Sequence, residues 1–176
     1  MEFLRVGGGE NLNLMEDIRK VFDEVLEPLY GSQKKAIHQI EESLDRVLWV
    51  LCHDSIPVGV LQYKTIPSNE FEMYGIRNSL EVKSLFVCNP TQNSGKGYAT
   101  QLLEKLKAEL TILSLPCDSI HLTVSGNVPS SLYFFLKKGF LIKHTFLDRY
   151  HRGSVEHLVS YQFNPKQSVC GGVCVG

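Results

Sequence analysis

Residues 89–106 read NPTQNSGKGYATQLLEKL. Pro90 opens a turn, glycines stand two apart at positions 95 and 97, and leucines then recur at Leu102, Leu103 and Leu106. That recurrence predicts a helix with one apolar face. Just upstream, LEVKSLFV (80–87) is branched and aromatic and reads as a strand. A strand that feeds a glycine-rich turn and then a helix is a general trap for anions. The first-turn amides of a helix lack internal partners, and the helix dipole is positive there. Glycine removes the side chain that would hold a phosphate away from the backbone. Gln92, Asn93, Ser94, Gly95, Lys96, Gly97 and Tyr98 are therefore a candidate phosphate cradle. The plainer reading, in which the glycines only shape a turn, stands beside it.

Three phosphate loops compete for this pattern. A Walker loop needs Lys followed by Ser or Thr, and here Lys96 is followed by Gly97. A dinucleotide fingerprint needs a third small residue, where this chain has Thr100, and an acidic residue on a following strand, which is missing. The third is the diphosphate loop of coenzyme A acyltransferases.

Working outward, helices and strands alternate. LMEDIRKVFDEVLEPL (14–29) and SQKKAIHQIEESL (32–44) carry apolar residues at helical spacing, with Asn11 or Asn13 and then Ser32 as candidate caps. VLWVLCH (47–53) and PVGVLQYKT (57–65) form a predicted hairpin. After the central helix come strand SIHLTVS (119–125), a short helix PSSLYFFLKK (129–138), and strands FLIKHTFL (140–147) and VEHLVSYQF (155–163). Asn127 is read as a cap for the short helix. One domain over residues 1–164 is expected, followed by a mobile tail at 165–176.

The charges nearly cancel, with 18 Lys and Arg against 19 Asp and Glu, so nucleic acid is not an expected partner. No apolar run reaches the ~18 residues of a membrane span, and MEFLRVGGGENLN is unlike a signal peptide. Cys52, Cys88 and Cys117 read as buried thiols, which suits a reducing, cytoplasmic setting. Cys170 and Cys174 fall in the tail, and the scattered histidines give them no metal partners.

The loop and its surroundings resemble the GNAT superfamily of N-acetyltransferases. That family carries Gln or Arg, two residues, Gly, one residue, then Gly or Ala, after a strand, and Gln92-Asn93-Ser94-Gly95-Lys96-Gly97 fits this pattern. Further on, the family ends a short helix in Tyr-x-Lys-x-Gly-Phe, and FLKKGF supplies Lys137, Gly139 and Phe140. The resemblance spans residues 1–163 in the order of elements.

The resemblance implies an α/β (α+β) GNAT fold: a twisted, mixed, mostly antiparallel sheet of six to seven strands flanked by about four helices. Strands 80–87 and 119–125 become parallel neighbours that splay apart to admit acetyl-CoA, the implied acyl donor. Backbone groups of Leu85, Phe86 and Val87 would pair with the pantetheine arm. The implied activity is direct acetyl transfer to an amine of unidentified identity, by a monomer or homodimer without a metal. Glu81 is the candidate general base, since several family members carry a glutamate six residues before the strand end. Its place mid-sheet predicts desolvation and a raised pKa. Glu70 and Glu72 are weaker candidates for attracting a cationic acceptor.

One position departs from the pattern. Where the family often places a tyrosine as acid for the leaving thiolate, this chain has Phe135. Tyr133 lies two residues away, a rotation of about 200° on a helix, and is expected to pack elsewhere. The departure keeps a second function open, a catalytically silent acyl-CoA-binding domain. Cys88 lacks a histidine partner and reads as structural rather than nucleophilic. DRYHRGS (148–154) reads as a solvated hairpin turn, of the kind that can wall the acceptor site in this family.

Overall fold

Among the described residues, branched and aromatic runs become seven strands, and the amphipathic stretches become the helices that cover them. The computed structural model describes residues 1–6, 11–42, 45–112, 117–150 and 152–163. In chain order the elements are β1 (Glu2–Val6), α1 (Met15–Val25), α2 (Glu27–Tyr30), α3 (Lys34–Glu42), β2 (Arg46–His53), β3 (Ile56–Lys64) and β4 (Ser79–Val87). Then follow α4 (Pro90–Asn93), α5 (Tyr98–Ile112), β5 (Ser119–Ser125), α6 (Pro129–Lys137), β6 (Leu141–Leu147) and β7 (Val155–Gln162). The sheet order is β1-β2-β3-β4-β5-β7-β6. Every pairing is antiparallel except β4 with β5, so the expected mixed, mostly antiparallel sheet is present.

Two apolar layers hold the sheet. On one face, Leu102, Leu103, Leu106 and Leu110 of α5 pack with Leu61, Leu80, Val82, Ile120 and Val124 of the strands. On the other, Ile18, Phe22, Ile37 and Ile40 of α1 and α3 cover Leu48, Val50 and Val60. Each buried leucine or isoleucine contributes roughly 1.5–3 kcal/mol. α5 lies so close to β3 that a Cβ on Gly59 would come within 2.8 Å of Leu102 Cδ1. Only glycine allows that approach without a shift.

Local readings differ from the structure at several ends. β1 was not foreseen; it pairs antiparallel with β2 at the sheet edge. The predicted helix 14–29 is broken at Leu26. Pro28 has no N–H to continue the hydrogen-bond ladder, so a short second helix starts instead. Asn11 does not cap α1: its Nδ2 donates to Arg5 O at 2.7 Å, and α1 starts without a side-chain cap. Asn127 likewise leaves α6 uncapped, its backbone N–H donating to Ser125 Oγ at 3.3 Å. The predicted mobile tail at 165–176, with Cys170 and Cys174, lies outside the described residues. Among the described residues, no helix is long and apolar enough to cross a membrane.

The feature that positions the site is the β4–β5 pair. The two strands pair at Ser79 with Ser119, Leu80 with Ile120, and Glu81 with His121, and no further. Yet β4 runs on to Val87 and β5 to Ser125. The same place on β4 carries a register shift against β3: Ser84 faces Gln62 and Val82 faces Tyr63, which leaves Lys83 as an extra residue. Such a bulge bends the strand and disrupts its ladder. β4 and β5 thus part directly beyond Glu81 and His121.

Candidate active site

The parted strands open a cleft of about 770 Å³. Its β4 wall is formed by residues 81–87, its β5 wall by residues 122–125, and the start of α5 lies at one end. Of the residues expected to bind the cofactor, Leu85, Phe86, Val87, Asn93, Ser94, Gly95, Gly97 and Tyr98 line it. Gln92 and Lys96 do not. Gln92 is exposed on α4, and the Lys96 ammonium turns back to Asn93 Oδ1 at 3.3 Å. The family pattern is therefore met at Gln92, and Lys96 fills its unspecified position, without either residue lining the cleft.

The glycines serve backbone shape. Gly95 and Gly97 have φ of 78° and 79°, a left-handed conformation in which most side chains are strained. A Cβ at either would meet nothing within 4 Å. Gly97 O accepts the first helical hydrogen bond, from Gln101 N at 3.0 Å. The amides of Tyr98, Ala99 and Thr100 therefore fall in the first turn, where a helix offers no internal acceptor. All three residues line the cleft. The adjoining turn is fixed by Asn93, whose Nδ2 donates to Cys88 O at 2.8 Å.

At the apex, Glu81 is nearly buried and held between two lysines. Lys83 Nζ lies 2.7 Å from Oε1, and Lys64 Nζ lies 2.6 Å from Oε2. Burial alone raises the carboxyl pKa, but the hydrogen bonds and charge of Lys64 and Lys83 outweigh it and hold the pKa below the usual range. The expected upward shift is thus reversed, because the lysines converge on the carboxylate from β3 and from the bulge. Sequence reading missed Lys64, which reaches Glu81 only through the β3–β4 pairing.

Beside it, His121 is fully buried. Its Nδ1 lies 2.8 Å from Ser79 Oγ, and Ser79 Oγ donates to Ser119 O at 3.1 Å. With the hydroxyl proton committed to that carbonyl, Nδ1 carries the ring proton and donates, and Nε2 is a bare acceptor. Burial pushes the imidazole down to about 4, against the weaker opposite pull of Glu81. His121 is neutral at neutral pH and does not line the cleft.

Phe135 lines the cleft from α6 while packing edge-on against Phe134 and Phe140. Tyr133 does face elsewhere, but toward solvent, at 67% exposed, rather than into packing. The cleft is also lined by two residues with hydroxyls that sequence reading did not single out. Thr123 Oγ1 of β5 and Tyr150 Oη of the β6–β7 turn are 3.0 Å apart. Residues 148–150, 152 and 153 of the turn are exposed, as read, and Tyr150 from it lines the cleft, while Arg149 pairs with Glu70 at 3.2 Å and lies over the rings of Phe71 and Phe146. Glu70 is engaged there, and Glu72 pairs with Arg77 at 3.0 Å. Cys88 is buried, and burial pushes its thiol up to about 12, so it is no nucleophile at neutral pH.

No protein-family model and no curated protein matches this sequence. Solved structures do match the fold. Arabidopsis thaliana NAA60 in complex with a bisubstrate analogue aligns with a TM-score of 0.75 at 14% identity, over 93% of this chain and 99% of that one. The ribosomal-protein-alanine N-acetyltransferase of Brucella melitensis aligns at 0.72 and 16% identity, over 93% and 100%. An aminoglycoside 6'-N-acetyltransferase complexed with coenzyme A aligns at 0.68 and 12% identity, over 92% and 97%. The fold is that of the GNAT N-acetyltransferases.

Proposed function

We propose that this protein is an acetyl-CoA-dependent N-acetyltransferase. The observation that carries the reading is the parting of β4 and β5 directly beyond Glu81 and His121, with the open N-terminus of α5 on the same cleft. Structural neighbours solved with acetyl-CoA or coenzyme A support the same cofactor here. In this reading the amides of residues 95–100 bind the diphosphate. Backbone groups of Leu85, Phe86 and Val87, freed by the splay, pair with the pantetheine amides much as an added strand would.

The thioester then lies near the bulge at Lys83, and an amine enters from the face that carries Glu81. Both carboxylate oxygens of Glu81 already hold a lysine. We therefore assign Glu81 proton acceptance through water rather than by direct contact. The amine attacks the thioester itself, without an acyl-enzyme. Neighbours named for a spermidine, an aminoglycoside and a ribosomal protein define the acceptor classes to test. Residues 1–164 act as the catalytic domain, and the unpaired thiols Cys52, Cys88 and Cys117 suit the reducing cytoplasm.

The second reading is a silent acyl-CoA-binding domain, favoured by Phe135 at the position where the resemblance implies an acid. One experiment separates the two. The protein is incubated with acetyl-CoA and a panel of peptide amines, spermidine and an aminoglycoside, and free thiol is followed. Release that depends on an amine supports the enzyme. Tight coenzyme A binding with no release from any amine supports the binder.

A further inference from the structure

Phe135 leaves the α6 lining of the cleft without a phenol for the departing thiolate, yet the β6–β7 turn brings one to the same cleft. Tyr150 lines the cleft and is half-exposed at its mouth. Its hydroxyl lies 3.0 Å from Thr123 Oγ1, and Thr123 sits two residues beyond His121, on the stretch of β5 that has parted from β4. By register that is level with the Lys83 bulge, where the thioester of the proposed reaction lies.

The phenol is held there by its turn. Asp148 N donates to Ser154 O at 2.8 Å, Gly153 N donates to Asp148 Oδ1, and Tyr150 N reaches Ser154 Oγ at 3.4 Å. Asp148 and Gly153, joined by the second of these bonds, both take left-handed φ, of 58° and 83°.

We propose that Tyr150 is the catalytic acid that protonates the departing coenzyme A thiolate, with Thr123 as the positioning residue that holds its hydroxyl in the cleft. This rests on the acetyltransferase reading above. The amine nitrogen bonds to the thioester carbon. The tetrahedral adduct collapses, the carbon–sulfur bond breaks, and its electron pair stays on sulfur. The Tyr150 proton passes to that sulfur and gives the free thiol. The proton lost by the amine goes through water toward Glu81, and solvent at the half-exposed phenol restores the Tyr150 proton. Acetyl-CoA and amine become coenzyme A and amide, with nothing oxidised or reduced.

Steady-state turnover and coenzyme A affinity of the full chain test this, with the amine that the parent uses. Tyr150→Phe is expected to lower kcat ~10²-fold, the usual contribution of a positioned acid, with coenzyme A affinity unchanged. Phe135→Tyr added to that variant is expected to regain ~10-fold or more, by supplying a phenol from α6 instead. Thr123→Val is expected to lower kcat by ~10-fold, and Thr123→Ser to keep parent turnover, which a purely structural role for the threonine would not require. A kcat within threefold of the parent in Tyr150→Phe overturns the assignment. So does a loss confined to KM for the amine, which makes Tyr150 an acceptor contact only. A parent that binds coenzyme A but turns over no amine sinks the acetyltransferase reading and this assignment together. A parent that turns over, beside an equally active Tyr150→Phe, sinks this assignment alone.

Discussion

Lys64 Nζ stands 2.6 Å from Glu81 Oε2, joining β3 to the last residue of β4 that pairs with β5. With Lys83 on the other oxygen, the carboxylate at the apex is fixed in place and ionised. Glu81→Gln keeps the shape but leaves two partly buried ammonium groups without their counter-charge. Turnover is expected to fall ~10²-fold with coenzyme A affinity intact, as for loss of a proton acceptor. Stability is expected to fall by ~1–3 kcal/mol, the scale of a lost hydrogen bond to a charged group. Urea denaturation beside the turnover assay separates the two effects. Turnover within twofold of the parent would move the base elsewhere.

The pH response follows from two groups with different windows. Glu81 has a folded pKa below its ordinary value, so its stabilising effect is complete above the unfolded value. That effect is lost only as pH falls through the lower folded value, and it adds no slope between pH 5 and 8. His121 titrates at about 4 in the folded chain, against an ordinary 6.5. Between those values the unfolded chain binds the extra proton, so stability rises with pH across that window. A shift of this size corresponds to up to ~3 kcal/mol. Urea midpoints measured from pH 4.5 to 7.5 are expected to climb in the parent and to climb less in His121→Asn. Equal slopes would show that the imidazole protonates without opening the core.

The glycine loop predicts a difference between substitutions of similar size. A Cβ at Gly97 meets nothing within 4 Å, so a side chain there harms by backbone strain, not by contact within the chain. Valine is β-branched and strongly disfavours φ near 79°, whereas asparagine tolerates the left-handed region. Gly97→Val is expected to turn the amides of α5 away and weaken coenzyme A binding by ~10-fold or more. Gly97→Asn is expected to keep most of the affinity. Calorimetric titration of both folded variants checks the contrast, and unchanged affinity in the valine variant would remove the loop from the site.

What the sequence made legible was local and periodic. The run from Leu80 to Leu106 carries its own strand, turn and helix signals, and those placed eight of the ten expected cofactor residues on the cleft. Helix ends were read less well, because Asn11 and Asn127 are engaged in other turns. The electrostatics of Glu81 were read with the wrong sign. Lys64 lies seventeen residues upstream and meets it only through strand register. The Thr123–Tyr150 pair was hidden for the same reason: a hydroxyl on one strand and a phenol in a polar turn carry no joint signal until β5, β7 and β6 are laid side by side. Tyr133 was placed off the site correctly by helical rotation, since that rotation is itself a local property.

The seat of α5 on the sheet gives the last prediction. Gly59 of β3 lies where a methyl group would come within 2.8 Å of Leu102 Cδ1 and 3.4 Å of Phe86 O. Leu102 is fully buried, so its side chain has little room to yield, while the carbonyl contact is only slightly tight. Gly59→Ala is therefore expected to destabilise the fold by ~1–3 kcal/mol through overpacking. Leu102→Val removes the Cδ atoms that would be struck, at its own cost for a smaller core side chain. In that background Gly59→Ala should cost less than half as much, because two residues in contact couple rather than add. Thermal unfolding of the two single variants and the double variant completes the cycle. An equal cost of Gly59→Ala in both backgrounds would mean that the strain falls on the Phe86 carbonyl. The cleft wall of β4 would then move, and coenzyme A affinity would fall along with stability.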